Sequence, residues 1–123
     1  VTILDIYNEA IYPQTPDTRL RVDIPVPLPT GTKGPQYLDM LHRAFRKVEG
    51  EHRLCFVVAG SDPLAQDRLG QLGLSVDELV ARDTATFRFL KDRGTPAVFL
   101  GGGGYSKASA HAVAGSIRAC ASL

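Results

Sequence analysis

Alternating apolar runs and turn-forming residues divide this chain into short strands and longer helices. Apolar runs at residues 1–7, 54–60 and 97–100 are typical of strands buried in a sheet. Between residues 19 and 26, apolar and polar side chains alternate, which is typical of an exposed or edge strand, and Pro25 and Pro27 weaken its end. The Pro-rich, polar stretch through residue 17 is predicted to be a loop.

Three helices are predicted between and after these strands. Apolar residues recur at near-helical spacing from about residue 35 to 49, and a glycine follows. Ser75-Val76-Asp77-Glu78 is a capping box that begins a second helix, which is predicted to end near residue 93. A third, alanine-rich helix begins near residue 106. Because strands and helices alternate, the chain is predicted to have an α/β fold.

Composition and charge narrow the class of protein. A chain of 123 residues with 44% hydrophobic and 22% charged residues suits one globular domain. The net charge is only +1, and the densest basic cluster falls on one helix face, so no direct contact with nucleic acid is expected. No apolar run reaches the ~20 residues that cross a bilayer, so no membrane association is expected. The spacing of Cys55 and Cys120 matches neither a zinc knuckle nor a redox Cys-x-x-Cys motif, which favours a reduced, cytoplasmic location.

Polar side chains follow two of the predicted strands. Asp62 comes after the strand at 54–60, and four glycines at 101–104 lead from the strand at 97–100 into Tyr105. If these strands are parallel neighbours, both side chains open onto one crevice at the carboxyl edge of the sheet. A carboxylate and a phenol in one cleft indicate a metal ligand and an oxyanion donor. The alternative is a tight turn with a packed tyrosine, since Gly-rich matches are weak signals.

Other acidic and basic side chains near this cleft are expected to have structural roles. Asp67 and Arg68 are predicted to order their own loop by local hydrogen bonds. Asp77 suits the first turn of a helix, and Asp83 is predicted to face solvent.

Three segments stand in the order and spacing of a known family: Ala59-Gly60-Ser61-Asp62-Pro63-Leu64-Ala65-Gln66-Asp67-Arg68-Leu69-Gly70, then Leu74-Ser75, then Gly101 to Tyr105. Together they resemble the carboxyl-terminal half of the histone deacetylase family, in the arginase/deacetylase superfamily. The opening residues Asp5 to Pro13 are most similar to the class IV branch and its bacterial deacetylase-like relatives. The resemblance implies a three-layer αβα fold with a mainly parallel sheet. It also implies zinc-dependent hydrolysis of the acyl amide of lysine or a similar amine, with iron as the other possible metal.

The resemblance also implies roles for individual residues. Asp62 is similar to a ligand of the catalytic zinc, and Tyr105 to the tyrosine that hydrogen-bonds the substrate carbonyl. Contacts with the substrate, an acyl-lysine peptide or a small acylated amine, are implied for Tyr12, Leu69, Gly103 and Gly104.

Two motifs of the family are absent from this sequence. The family's remaining zinc ligands lie in an Asp-x-His motif, and its proton-transfer groups are an adjacent His-His pair. His42, His52 and His111 match neither motif and are predicted to be surface or packing residues. We therefore expect residues 1–123 to be the carboxyl-terminal part of a single catalytic domain, inactive alone and with apolar surface exposed at the first strand. The alternative is a non-catalytic deacetylase-like domain for binding or assembly.

Overall fold

The computed structural model describes all residues from Val1 to Leu123. Strands and helices alternate along the chain, with helices packed on helices and on the strands. In chain order the elements are β1 (Leu4–Asn8), α1 (Pro16–Leu20), β2 (Ile24–Leu28), α2 (Gly34–Phe45), β3 (Cys55–Val58), α3 (Val76–Asp92), β4 (Ala97–Leu100) and α4 (Ser109–Ala121).

All four strands are paired in parallel, as two two-stranded sheets. Strand β1 pairs with β2, from Leu4 opposite Ile24 to Asn8 opposite Leu28. Strand β3 pairs with β4 in the same way, from Cys55 opposite Ala97 to Val58 opposite Leu100. This parallel pairing confirms the predicted α/β class.

The region from residue 16 to 28 differs from the prediction. Residues 16–20 form the short helix α1, with Pro16 in its first turn, where proline's missing N–H costs nothing. Strand β2 begins later than predicted and continues past both prolines. The N–H of Ile24 donates to the carbonyl of Ile3 at 3.0 Å. Pro25 and Pro27 occupy the alternate positions of β2, whose backbone nitrogens face away from β1. At the edge of a sheet these positions need no N–H donor, so proline is tolerated there.

Helix α3 follows its sequence signals closely, whereas helix α2 does not. The Ser75 hydroxyl accepts from the Glu78 N–H at 3.2 Å, and the Glu78 carboxylate accepts from the Ser75 N–H at 2.8 Å, which confirms the capping box. Helix α3 ends one residue before the predicted position, and Gly94 follows with a φ of +63°. Helix α2 ends at Phe45, a turn earlier than predicted.

The hydrophobic core lies between β2, α2 and the start of α3, and it includes the loop that follows β3. Leu64 and Leu74, at the two sides of that loop, are both 0% exposed. The other fully buried large side chains are Tyr37, Leu28 and Leu79. Because the apolar side chains of this loop are packed in the core, the backbone that carries its polar residues is held in place.

One face of the β3–β4 sheet is exposed, so the prediction that both strands are buried is wrong for that face. Phe56 and Val58 are 64% and 71% exposed, and their partners Val98 and Leu100 are 41% and 43% exposed. These strands pair only with each other, and no element covers this side. The expected exposure of the first strand is seen only in part, since Leu4 and Ile6 of β1 are partly buried against the core while Val1 is fully exposed.

None of the four helices combines the length and apolar character that crossing a membrane requires.

Candidate functional site

Asp62 and Tyr105 follow the carboxyl ends of two parallel neighbours, β3 and β4. The pairing continues beyond the strands, because the N–H of Ala59 donates to the carbonyl of Leu100 at 2.9 Å and that of Ser61 to the carbonyl of Gly103 at 2.5 Å. The two loops therefore leave the same edge of one sheet, as the sequence predicts.

The Asp62 carboxylate lies directly against the glycine run. A Cβ atom at Gly103 would lie 2.8 Å from Asp62 Oδ1 and 3.0 Å from its Cγ. A Cβ atom at Gly104 would lie 2.3 Å from the hydroxyl oxygen of Ser61 and 2.8 Å from that of Ser109. At both positions an added Cβ would force these neighbouring side chains to shift, which favours glycine. A role of these glycines in passing the substrate stays a prediction.

The residues of this chain do not fit a complete zinc or iron site. Asp62 is partly exposed, and its carboxylate takes part in none of the side-chain hydrogen bonds or salt bridges around it. Nowhere do three or more His, Cys, Asp or Glu side chains come together. His42 and His111 are exposed, and His52 contacts Thr2 at 3.0 Å. Since a protein zinc ion takes about four ligands, Asp62 supplies one ligand at most.

Tyr105 is held by its backbone, and its side chain is 69% exposed. Its N–H donates to Asp67 Oδ2 at 2.8 Å, and Asp67 is itself only 2% exposed. The other oxygen, Oδ1, accepts from the N–H groups of Leu69 at 2.9 Å and Gly70 at 3.0 Å. The predicted local role of Asp67 is confirmed, but the bond to Tyr105 has no signal in the sequence.

A buried ion pair in helix α3 is hydrogen-bonded to the backbone just after β3. Arg82 donates to the carbonyl of Gly60 at 2.7 Å and to Asp83 at 2.8 Å, and Ser116 donates to Asp83 at 2.6 Å. Asp83 is 6% exposed, so the prediction that it faces solvent is wrong. The adjacent Arg82 makes burial of this carboxylate tolerable. Burial raises the pKa of the nearby Tyr37 phenol, and the charges of Arg82 and Asp62 act on it in opposite directions.

The two residues implied as substrate contacts at the rim are both exposed, Tyr12 by 91% and Leu69 by 60%. Their loops meet at Asn8, a buried side chain at the end of β1 that the sequence did not single out. Asn8 donates to the carbonyl of Gly70 at 3.2 Å and accepts from the N–H of Ala10 at 2.9 Å. The sequence does carry a signal for this role, because an asparagine at the end of a predicted strand commonly hydrogen-bonds the backbone of the turn that follows.

The guanidinium of Arg19 holds the loop that presents Tyr12. It donates to the carbonyl of Pro13 at 2.9 Å and lies 4.4 Å from the centre of the Tyr7 ring. Sequence reasoning placed Arg19 at the start of a strand and missed this contact.

Comparison with known proteins gives one consistent result. Residues 1–120 match the histone deacetylase domain. The chain is 39% identical over 119 residues to "Histone deacetylase 2" of Arabidopsis thaliana, covering 95% of this chain and 31% of that protein. It is 34% identical over 85 residues to "Putative histone deacetylase 2" of Caenorhabditis elegans, covering 68% of this chain and 16% of that protein.

A solved structure shows the same fold. The acetylpolyamine aminohydrolase of Burkholderia pseudomallei superposes with a TM-score of 0.72 at 20% identity, over 98% of this chain and 37% of that one. The strands and helices described above thus form part of a three-layer αβα domain of the arginase/deacetylase type. The chain spans between 16% and 37% of the length of each of these proteins.

Proposed function

This chain belongs to the histone deacetylase family, and from that premise we propose that it is the carboxyl-terminal part of one catalytic domain that removes acyl groups from lysine or a similar amine. The reaction is metal-assisted hydrolysis of an amide, with zinc, or iron, as the metal. The single observation that carries the proposal is the placement of Asp62 and Tyr105 on adjacent parallel strand ends, with the Asp62 carboxylate packed against Gly103.

Tyr105 is the catalytic residue of this proposal. An exposed phenol on a loop whose backbone is fixed can donate a hydrogen bond to a carbonyl oxygen as negative charge develops on it. Such a donor accelerates the reaction because it is in place before the charge forms. Were a metal bound, Asp62 would supply one carboxylate ligand, and the remaining ligands would have to come from outside these residues, because no three-ligand group lies within them.

Tyr12 and Leu69 are proposed to contact the substrate at the rim of the cleft, and Gly103 and Gly104 to line the path of its chain. Exposed aromatic and aliphatic side chains on loops suit the methylene chain of a lysine or of a small amine. The substrate class is therefore an acyl-lysine peptide or a small acylated amine.

The test uses the purified protein as expressed from its complete coding sequence. Intact mass fixes which residues accompany these 123, metal analysis gives the zinc and iron content, and acetate release is measured with an acetyl-lysine peptide and with an acetylated diamine. We expect one bound metal per chain and hydrolysis of at least one substrate. A protein that binds metal and cleaves neither substrate contradicts the proposal.

A second function is favoured by one observation, the lack of any three-ligand cluster in this chain. A deacetylase-like domain without a complete metal site would serve in binding or assembly. Saturable binding of the acetyl-lysine peptide to a protein that holds no metal and releases no acetate would establish this alternative.

A further inference from the structure

We infer, on the premise of the proposed function, that Asp67 is a positioning residue that fixes Tyr105 and the rim residue Leu69 in one arrangement. Its side chain is 2% exposed and accepts three backbone N–H groups. Two of them, from Leu69 and Gly70, belong to its own loop. The third comes from Tyr105, 38 residues further along the chain.

The glycine run explains why Tyr105 needs this support. Glycines at 101–104 have the largest conformational freedom of any residue type, so the segment does not hold a single shape unaided. The side chain of Tyr105 is mostly exposed and therefore gains little from packing. The backbone is tied at Gly103, whose carbonyl accepts from Ser61, and at Tyr105 itself, whose N–H donates to Asp67.

The geometry of Asp67 goes beyond what a loop-ordering aspartate needs. An aspartate that closes a turn accepts N–H groups two or three residues ahead, and Oδ1 of Asp67 does this with Leu69 and Gly70. Oδ2 instead crosses to the neighbouring loop. Hydrogen bonds to a charged acceptor are stronger than neutral ones, so this carboxylate is a firm link between the two loops.

The functional consequence concerns the distance between the Tyr105 phenol and the Asp62 carboxylate. Asp62 and Asp67 lie on the same loop, whose base is in the core through Leu64 and Leu74. Asp67 therefore transmits the position of this packed loop to Tyr105. Loss of the link lets the phenol drift from the place where the carbonyl oxygen reacts, while Asp62 stays where β3 puts it. Misplacement of a catalytic group by about 1 Å costs on the order of 100-fold in rate.

The test is Asp67→Asn in the complete protein, with a peptide or amine that the wild type hydrolyses. The amide keeps the size of the side chain but replaces one acceptor oxygen with a donor, so one set of N–H groups loses its partner. We expect kcat to fall by about 10-fold to 100-fold, with KM and metal content near the wild-type values. The matched control is Asp77→Asn, at an exposed position in the first turn of α3, which should leave kcat unchanged.

A double-mutant cycle separates positioning from a general structural role. If Asp67 acts through the Tyr105 phenol, Asp67→Asn added to Tyr105→Phe changes kcat by no more than about twofold. A full, multiplicative loss in the double mutant overturns the inference, and so does an unchanged kcat in Asp67→Asn alone. Should Asp67→Asn fail to fold, Asp67→Glu replaces it. That variant keeps both oxygens but displaces them, and wild-type kcat in it overturns the inference equally.

Hydrogen–deuterium exchange supplies a readout that does not depend on activity. Asp67→Asn should speed exchange in the segment 101–106 and leave helix α2 unchanged. Unchanged exchange at 101–106 contradicts the link itself. A wild-type protein that cleaves no acylated amine, yet shows this faster exchange in the variant, would refute the proposed function and retain the link between the loops.

Discussion

Arg82 donates a hydrogen bond to the carbonyl oxygen of Gly60 at 2.7 Å, and so helix α3 holds the segment that leads directly into Asp62. The same guanidinium pairs with the buried Asp83, whose second oxygen accepts from Ser116 of α4. The end of strand β3 is thus fixed by two helices through a buried polar network. Such a network is stabilising only while all its members are present.

Replacement of Arg82 by methionine should therefore destabilise the protein strongly. The change leaves the Asp83 carboxylate buried without its cation, which typically costs about 3 to 5 kcal/mol in the free energy of unfolding. Urea unfolding followed by circular dichroism measures this loss. Arg88→Met, at an exposed position of the same helix, is the control and should change stability by less than about 0.5 kcal/mol. Equal losses in the two variants would contradict the structural role of the network.

Tyr105→Phe tests the proposed oxyanion donor. Removal of one such donor lowers kcat by about 100-fold to 1,000-fold, and the metal content should not change, since the phenol is not a ligand. Steady-state kinetics and metal analysis on the same sample check both points. The control is Tyr7→Phe, in strand β1, which should retain wild-type turnover. A fully active Tyr105→Phe enzyme would remove the tyrosine from the mechanism.

Asp62→Asn tests the proposed metal ligand. The amide loses the negative charge that binds the cation, so metal affinity should fall, and activity with it. Competition with a chelator, followed by metal analysis, gives the affinity. Asp77→Asn again serves as the control because it removes one exposed carboxylate from the first turn of α3. Wild-type metal retention in Asp62→Asn would show that the carboxylate does not bind the ion.

Gly104→Ala tests the packing beside Tyr105. The new methyl group would overlap the hydroxyls of Ser61 and Ser109, which are hydrogen-bonded to each other. Overpacking of this kind costs about 1 to 3 kcal/mol. Gly101→Ala is a matched control, since nothing lies within 4 Å of its added Cβ. Thermal unfolding should show a lower Tm for Gly104→Ala alone, and Ser61→Ala in the same chain should recover part of the difference.

Asp23 should make the stability of the β1–β2 sheet depend on pH. The hydrogen bond from the Ile3 N–H, 2.8 Å away, holds the pKa of this carboxyl below its usual value of 3.8, and Arg21 acts in the same direction. A depressed pKa in the folded state gives stability that is present above the unfolded value and is lost as the pH falls through the folded value. Asp23→Asn should therefore be less stable than wild type near neutral pH.

The difference between wild type and Asp23→Asn should shrink as the pH falls from about 5 to about 2, the range in which such a carboxylate becomes protonated. Urea unfolding at a series of pH values measures it. Asp17→Asn, at an exposed position in α1, is the control and should follow the wild-type pH dependence. A constant difference over the whole range would rule out Asp23 as the titrating group.

Local signals in the sequence predicted most of the elements. The Ser75–Glu78 capping box, the glycine after α3 and the apolar runs of β3 and β4 act over a few residues, so they are readable without the fold. The predicted start of strand β2 is too early because apolar and polar residues already alternate from residue 19, and its predicted end is too early because prolines normally end a strand. At a sheet edge they are tolerated at alternate positions, and only the pairing with β1 reveals which positions those are.

The contacts that hold the site together join residues distant in sequence. Asp83 sits in a helix at a position that looks solvent-facing, and its burial follows from Ser116, 33 residues away. The bond from Tyr105 to Asp67 likewise joins two loops that only the pairing of β3 with β4 brings together. The roles of Asp62 and Tyr105 came from the family resemblance and the strand-end pattern, which locate side chains without giving their partners.

The shared carboxylate of Asp67 couples the order of the rim segment at Leu69 to the order of the Tyr105 backbone. A substrate whose distal part orders the segment at Leu69 lowers the free-energy cost of ordering Tyr105, and by linkage a group bound at Tyr105 orders the rim to the same extent. On the proposed function, binding energy from the rim would then help to order the residue that meets the reacting carbonyl. On the proposed function, an amine too short to touch the rim should therefore lose turnover as well as affinity.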